Sequence, residues 1–240
     1  MPMNAYPQKE HYTADDLLAI LAILRDPENG CSWDKVQTHT SIRMNFLEEA
    51  YEAVDAIDLD DPELLCEELG DVLMQVGFHT QIEQEAGRFT WQQVCDGVCR
   101  KLIDRHPHIF GGDTSIKDWD ALKNKEKGRT TLADELNTVP TTLPALMRAQ
   151  KLQKRAVRCG VPEPEGTLKA AERGWEEAVP ENAAERAGAL LFAAANAMRL
   201  AGVDAEEALT FASRRFCTEC LQQEPSGIQA DAPAPIEETK

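Results

Sequence analysis

An all-α fold is predicted by two features of the sequence. Apolar residues recur at i, i+3, i+4 and i+7 along most of the chain, and the period-two alternation of β-branched and aromatic residues that marks strands never persists. Cap and turn residues then divide the helical pattern into elements. The first helix is expected to start after Thr13, with Asp16 placed as a capping-box partner, and to carry Leu17, Leu18, Ile20, Leu21 and Leu24. It ends at the turn sequence Asp26-Pro27-Glu28-Asn29-Gly30, and loop chemistry continues to Thr40 or Ser41. A second helix, from about Ile42 to Leu59, directs Phe46, Leu47, Ala50, Val54 and Ile57 to its buried side.

Asp61 as N-cap and Pro62 as first helical residue open a third helix through Leu69, Leu73, Val76 and Ile82 to a stop at Gly87. Thr90 caps a fourth, through Val94, Val98 and Leu102, which ends near His106-Pro107 because the residue before a proline is pushed out of helical geometry. Four amphipathic helices with short connections predict a four-helix-bundle-like domain over residues 1–128. Its last part, Lys117 to Lys127, reads as a highly charged helix. Residues 129–142 read as a linker, 143–221 as a second helical domain, and 222–240, rich in Pro, Ala and acids, as a disordered tail.

At 240 residues the chain is long enough for two small domains. Its 25 Lys and Arg against 42 Asp and Glu leave a formal charge of −17, so a nucleic acid duplex is repelled and any anionic ligand needs a local basic pocket. The longest uncharged run in the most apolar region, Ala187 to Met198, is 12 residues, against the 20 or so of a membrane span. No secretory signal pattern opens the chain, and a soluble cytoplasmic protein is expected. Seven scattered cysteines suit reduced thiols. Cys217-Thr-Glu-Cys220 lacks a second ligand pair and reads as two thiols near a helix end.

The chemistry-bearing pattern is acidic. Glu49 and Glu52 stand one helical turn apart, and Glu68 and Asp71 repeat that spacing on the next helix, so four carboxylates are able to converge from two antiparallel helices. Like charges at this spacing each destabilise a helix by a few tenths of a kcal/mol, a cost that a divalent cation removes. All-oxygen ligands suit Mg²⁺ or Mn²⁺ rather than zinc. A solvated acidic face is the commoner origin of such clusters in an acidic chain, and spacing alone leaves both readings open. A di-iron bundle site would need Glu-x-x-His on two helices, and no such pair occurs in the second or third helix. His79 stands alone beside Phe78 and reads as a satisfied core residue.

Four ordered motifs carry a resemblance. Cys31-Ser32-Trp33-Asp34-Lys35-Val36-Gln37-Thr38-His39, Leu47-Glu48-Glu49-Ala50-Tyr51-Glu52, Glu67-Glu68-Leu69-Gly70-Asp71 and Arg105-His106-Pro107-His108-Ile109-Phe110-Gly111 together resemble the MazG family of nucleoside triphosphate pyrophosphohydrolases, over roughly residues 11–160. The resemblance implies an Mg²⁺-dependent hydrolase, with Mn²⁺ as substitute, that converts nucleoside triphosphates to monophosphate and pyrophosphate in nucleotide-pool house-cleaning and works as a homodimer. It makes Glu49, Glu52, Glu68 and Asp71 the metal ligands. Glu48 is then either the group that orients or deprotonates the attacking water or a solvated acid beside the site. Lys101 with Arg105, and Trp119 with Lys123, match the family's phosphate-binding pairs. Trp33 and Gln37, in the loop before the second helix, suit base contact or packing and capping.

The second half reads as a degenerate copy. Glu185 to Phe192 aligns with Glu67 to Met74 at a constant shift of 118, which sets Arg186 opposite Glu68 and Ala189 opposite Asp71. Arg214 to Glu219 aligns with Arg100 to Arg105, which sets Glu219 where the phosphate-binding arginine stands. Arginine in place of a carboxylate repels a cation, so this copy is expected to be inert. Leu190, Leu191, Phe192, Met198, Leu200, Leu209 and Phe216 are expected to keep its fold. The alternative for the whole chain is a catalytically weak or inactive helical module that binds nucleotides or proteins.

Overall fold

The computed structural model of the chain describes residues 6, 8–111, 131–163 and 167–222; these form α-helices and one 3₁₀ turn, with no strand among them. The expected helix over Lys117 to Lys127 and the expected tail, apart from Gln222, lie outside the described residues. The chain divides into two compact units, residues 1–119 and 120–240.

In the first unit, α1 (Ala14–Leu24), α2 (Arg43–Asp58), α3 (Pro62–Glu85) and α4 (Trp91–Arg105) are followed by the single turn α5 (Pro107–Phe110). Their boundaries follow the cap residues. Thr13 with Asp16 and Thr90 with Gln93 form reciprocal capping boxes, and Asp61 accepts from the backbone N–H of Glu63 and Leu64 ahead of Pro62. Helices α1, α2 and α4 all pack on α3. Leu21, Ile42 and Phe78 make the core, flanked by Leu17, Met74 and Ile82, and each fully buried side chain of this kind contributes about 2 kcal/mol. Gly77 permits the close approach of α1, since a Cβ there would lie 2.9 Å from Leu21 Cδ1.

The loop between α1 and α2 is tied to α3 by one buried arginine. Arg25 Nε and Nη2 donate to Glu85 Oε1 and Oε2 at 2.9 and 2.8 Å, Nη1 donates to the carbonyls of Asp34 and Gln37, and the guanidinium lies 5.2 Å from the Phe78 ring.

The buried side of α2 differs from the expected one. Ala53 and Ala56 are buried, whereas Val54 is 48% and Ile57 59% exposed, with Leu47 and Tyr51 beside them. Small residues sit where α2 meets α3 because two helix backbones approach closely there. The larger apolar residues face outward, and Leu69, Leu73, Val98 and Leu102 of α3 and α4 are likewise exposed.

The second unit contains α6 (Leu132–Asn137), α7 (Ala145–Arg158), α8 (Thr167–Glu176), α9 (Ala183–Leu200) and α10 (Ala205–Gln222). Part of the stretch expected as linker is therefore helical. Thr131 and Asp134 cap α6, and its buried Glu135 pairs with Arg155 at 2.8 Å and Arg158 at 3.2 Å. Helix α7 starts at Pro144 without a side-chain cap of its own; Glu206 of α10 supplies one by accepting from the N–H of Leu146 and Met147. Gln150 of α7 donates to the carbonyls of Ala195 and Val203 and accepts from the N–H of Ala205. The core is Ala149, Ala195 and Ala205 with Leu146 against them. Of the residues expected to keep this fold, Leu191, Phe192, Met198, Leu200, Leu209 and Phe216 are exposed or largely so. As in α2, small residues fill the helix contacts and the large ones are left outside.

Candidate functional site

Helices α2 and α3 run antiparallel across the short connection at Leu59 to Asp61, which sets the last turns of one beside the first turns of the other. Carboxylate oxygens of Glu49, Glu68 and Asp71 consequently lie within 4.8 Å of one another, each half-buried. Gln75, buried one turn further along α3, donates to Glu49 Oε1 at 3.4 Å. Among the described residues no lysine or arginine pairs with these three acids.

The electrostatics are those of crowded acids. Partial burial raises the Glu49 carboxyl above the ordinary glutamate range; the Gln75 amide opposes this, and Asp71 and Glu52 add to it. Burial also raises Glu68, followed by the charges of Glu52, Asp71, Glu67 and Glu49. The ionised cluster is thus under strain that a hard divalent cation relieves, and its donor set is all oxygen.

The structure brings together three of the four expected ligands. Glu52 is exposed and lies outside the three-oxygen group, yet it acts on both Glu49 and Glu68. Glu48 is exposed next to Glu49 and is outside the group as well. Lys101 and Arg105 stand one turn apart at the C-terminal end of α4, the lysine exposed and the arginine half-buried. Trp119 and Lys123 lie outside the described residues. Trp33 meets Phe78 edge-on at 6.5 Å, while Gln37 donates to the Trp33 carbonyl and accepts from Ser41 Oγ, so both serve the loop's own packing.

His79 does not stand alone. Its Nδ1 lies 2.7 Å from Nδ1 of His39, the rings are stacked at 5.0 Å, and Phe46 meets His79 edge-on at 5.7 Å. His39 Nε2 contacts Glu83 Oε1 at 2.5 Å, and Arg88 grips both Glu83 oxygens. Hydrogen bonds from Arg88, and then from His39, hold the Glu83 carboxyl at about 2, well below its usual range, whereas burial and then His39 lower His79. Sequence reasoning missed this chain of contacts. Its trace is the four-residue spacing of Gln75, His79 and Glu83 along one face of α3, which continues away from the acids.

In the second unit α8 and α9 also pack on one another. Facing residues of an antiparallel pair keep a constant sum of residue numbers. Gln75 reaches Glu49 in the first unit, and Arg186 lies over Gly174 in the second, where a Cβ would meet its Nη1 at 2.9 Å. A shift of 118 carries Gly174 and Arg186 onto Ala56 and Glu68, which share the register of Glu49 and Gln75. On that shift the positions of Glu49, Glu52, Glu68 and Asp71 correspond in number to Thr167, Ala170, Arg186 and Ala189.

Residues 37–110, which include α2, α3 and α4, match the family model described as the MazG nucleotide pyrophosphohydrolase domain. The chain is 40% identical over 210 residues to the nucleoside triphosphate pyrophosphohydrolase/pyrophosphatase MazG of Thermotoga maritima, which covers 84% of this chain and 82% of that protein. It is also 40% identical over 219 residues to the nucleoside triphosphate pyrophosphohydrolase of Escherichia coli K12, with 84% and 83% covered. The like-named protein of Mycobacterium tuberculosis is 42% identical over 137 residues, 54% of this chain and 41% of that one. The motifs, the carboxylate pair of helices and this similarity over most of the chain make it a member of the MazG family of nucleotide pyrophosphohydrolases.

Proposed function

We propose that the first unit hydrolyses nucleoside triphosphates to the monophosphate and pyrophosphate, using Mg²⁺, with Mn²⁺ as a substitute, held by Glu49, Glu52, Glu68 and Asp71. The observation that carries this reading is the convergence of Glu49, Glu68 and Asp71 within 4.8 Å across α2 and α3. Bound there, a divalent cation screens a triphosphate of about four negative charges and lowers the pKa of the attacking water. The chain's own residues supply the rest. Gln75 orients Glu49 through its amide, and Glu52, exposed beside the three clustered acids, would add the fourth carboxylate to the set that holds the ion. Glu48 takes the proton of the water as its oxygen attacks the α-phosphorus and the bond to the bridging oxygen breaks. Lys101 and Arg105, with Trp119 and Lys123, grip the β- and γ-phosphates, so that charge developing on the leaving pyrophosphate is neutralised.

The exposed apolar faces of α2, α3 and α4 fit a homodimer in which a second copy covers Leu47, Val54, Ile57, Leu69 and Leu73. Among the described residues no helix is long and apolar enough to cross a membrane, in keeping with a cytoplasmic role in nucleotide-pool house-cleaning.

The test is direct: purified chain, a mixture of triphosphates and Mg²⁺, with products resolved by ion-exchange chromatography. Monophosphate and pyrophosphate are expected as first products. Diphosphate and orthophosphate would contradict the bond assignment, and binding without turnover would favour a nucleotide-binding module.

A further inference from the structure

The loop between α1 and α2 is fastened to α3 at two places that differ in chemistry. At its middle Arg25 holds the carbonyls of Asp34 and Gln37, and a guanidinium does not lose its charge in a protein. At its end the fastening is a histidine pair. Nδ1 of His39 faces Nδ1 of His79 at 2.7 Å, with the ring planes within 9° of parallel. At that distance one nitrogen carries the proton and the other offers its lone pair. Glu83 takes Nε2 of His39, so Nδ1 is the atom left for His79.

The protons of this pair are limited in number. With both rings neutral, His79 Nδ1–H donates to His39 Nδ1 while His39 Nε2–H donates to Glu83. One added proton is accommodated, because a cationic His39 donates from both nitrogens, to Glu83 and to a His79 whose own proton has moved to Nε2. A second added proton sets N–H against N–H and charge against charge, and the contact breaks. The surrounding charges do not lift this limit. Glu83 of α3 pairs with His39 and is held ionised by Arg88 from the turn after α3. Arg25, at the end of α1, lies on the Phe78 ring and is paired with Glu85. Helix α2 offers the uncharged ring of Phe46, and the ion pair of α4, Arg100 with Asp96, stays within that helix. Burial and then the facing His39 lower the His79 imidazole below its ordinary value.

We propose that the His39–His79 pair is a proton-operated latch, which holds residues 38–41 on α3 while the pair carries at most one added proton and releases them when it takes up two. The latched state binds fewer protons than the released one, so it is complete above the ordinary histidine value of about 6.5 and is lost as pH falls below it. Glu83 stays ionised through this window, since its carboxyl is held at about 2. Arg25 keeps the middle of the loop in place throughout. The device lies outside the carboxylate cluster and does not depend on the chemistry proposed for the acids.

Residue-resolved hydrogen exchange on the full chain at pH 7 and pH 5, corrected for intrinsic rates, reads the latch. The amides of Thr38, Ser41 and Ile42 bond within the end of the loop, and those of Lys35 and Gln37 within the part that Arg25 holds. The first three are expected to lose protection about fivefold on acidification, the value for coupling of about one pK unit between the rings, and the other two to change less than about twofold. His39→Gln keeps a donor for Glu83, His79→Gln keeps an amide for His39, and neither leaves two titrating rings, so each variant is expected to abolish the response. Histidine ¹⁵N spectra over the same range should show the pair taking up its protons in two separated steps in the parent, and the remaining ring titrating in one step in each variant. The proposal is overturned if Thr38, Ser41 and Ile42 keep their protection in the parent, if Lys35 and Gln37 lose theirs equally, or if either variant responds as the parent does. Should one glutamine variant fail to fold, the other decides; should both, coincident uptake by the two rings of the parent overturns the latch and separated uptake supports it.

Discussion

Two packed helix pairs in this chain differ in what they present. In the first unit α2 and α3 bring three carboxylates within 4.8 Å. In the second, α8 and α9 carry Thr167, Ala170, Arg186 and Ala189 and border an open, largely apolar pocket. Buried alanines sit on both, Ala53 and Ala56 on α2, Ala193 and Ala195 on α9, the last packed against Ala149 of α7 and Ala205 of α10. Burial and then the neighbouring carboxylates raise the carboxyls of Glu49 and Glu68, so ionisation of these acids opposes folding.

The comparison is broken most severely by removing the acids. Asp71→Ala and Glu52→Ala are each expected to lower the rate of pyrophosphate release by at least about a hundredfold, since each removes a ligand's charge from the site. A variant at Asp71 that turns over normally places the chemistry elsewhere.

Each unit also has an ion cluster joining distant segments around a buried residue: Arg25 with Glu85 in the first, Glu135 with Arg155 and Arg158 in the second. Arg25→Met takes the ion pair and two carbonyl hydrogen bonds from the loop, and Glu135→Ala takes the shared carboxylate from the two arginines; each should cost about 1–2 kcal/mol in urea unfolding. If the units unfold separately, the two variants shift different transitions.

Glu68→Gln separates function from stability. Because the carboxyl of Glu68 is raised in the folded state, ionisation opposes folding, so the variant should melt about 1–2 °C higher than the parent without metal. It should also lose most of the rise in melting temperature that Mg²⁺ gives the parent.

Glu83 responds to pH with the opposite sign. Its carboxyl is held at about 2 by Arg88 and His39, so its contribution to stability is fully present above the ordinary glutamate value and is lost as pH falls toward 2. Arg88→Gln raises that carboxyl, and its acid unfolding, followed by circular dichroism, should begin at higher pH than that of the parent. Smallest of all, Ala189→Asp should leave activity unchanged, since a single acid beside Arg186 restores no cation site.

Much of the chain's local chemistry is legible in the sequence. Thr13, Asp61 and Thr90 mark helix starts because a side-chain oxygen satisfies orphan N–H groups wherever the chain folds. The same signal at Thr131 and Asp134 lies in the stretch read as linker, where a helix of six residues follows it. The i, i+3 acids are equally visible. Which apolar residues are buried was not. Val54 and Ile57 have the periodicity of a core stripe, but the helix contact selects alanines for closeness and leaves the larger side chains outside. Nor was the pairing of His39 with His79 visible, since it joins a loop to a helix 40 residues away.

Helix boundaries, the net charge and the placing of acids one turn apart on two successive helices belong to the sequence by itself, because each depends on residues within a few positions of one another. Tertiary structure alone decided that three of those acids meet, that Arg25 ties the loop to α3, and that α7, α8 and α9 border a largely apolar pocket. These outcomes depend on the register between antiparallel helices, which is set by packing across the whole unit.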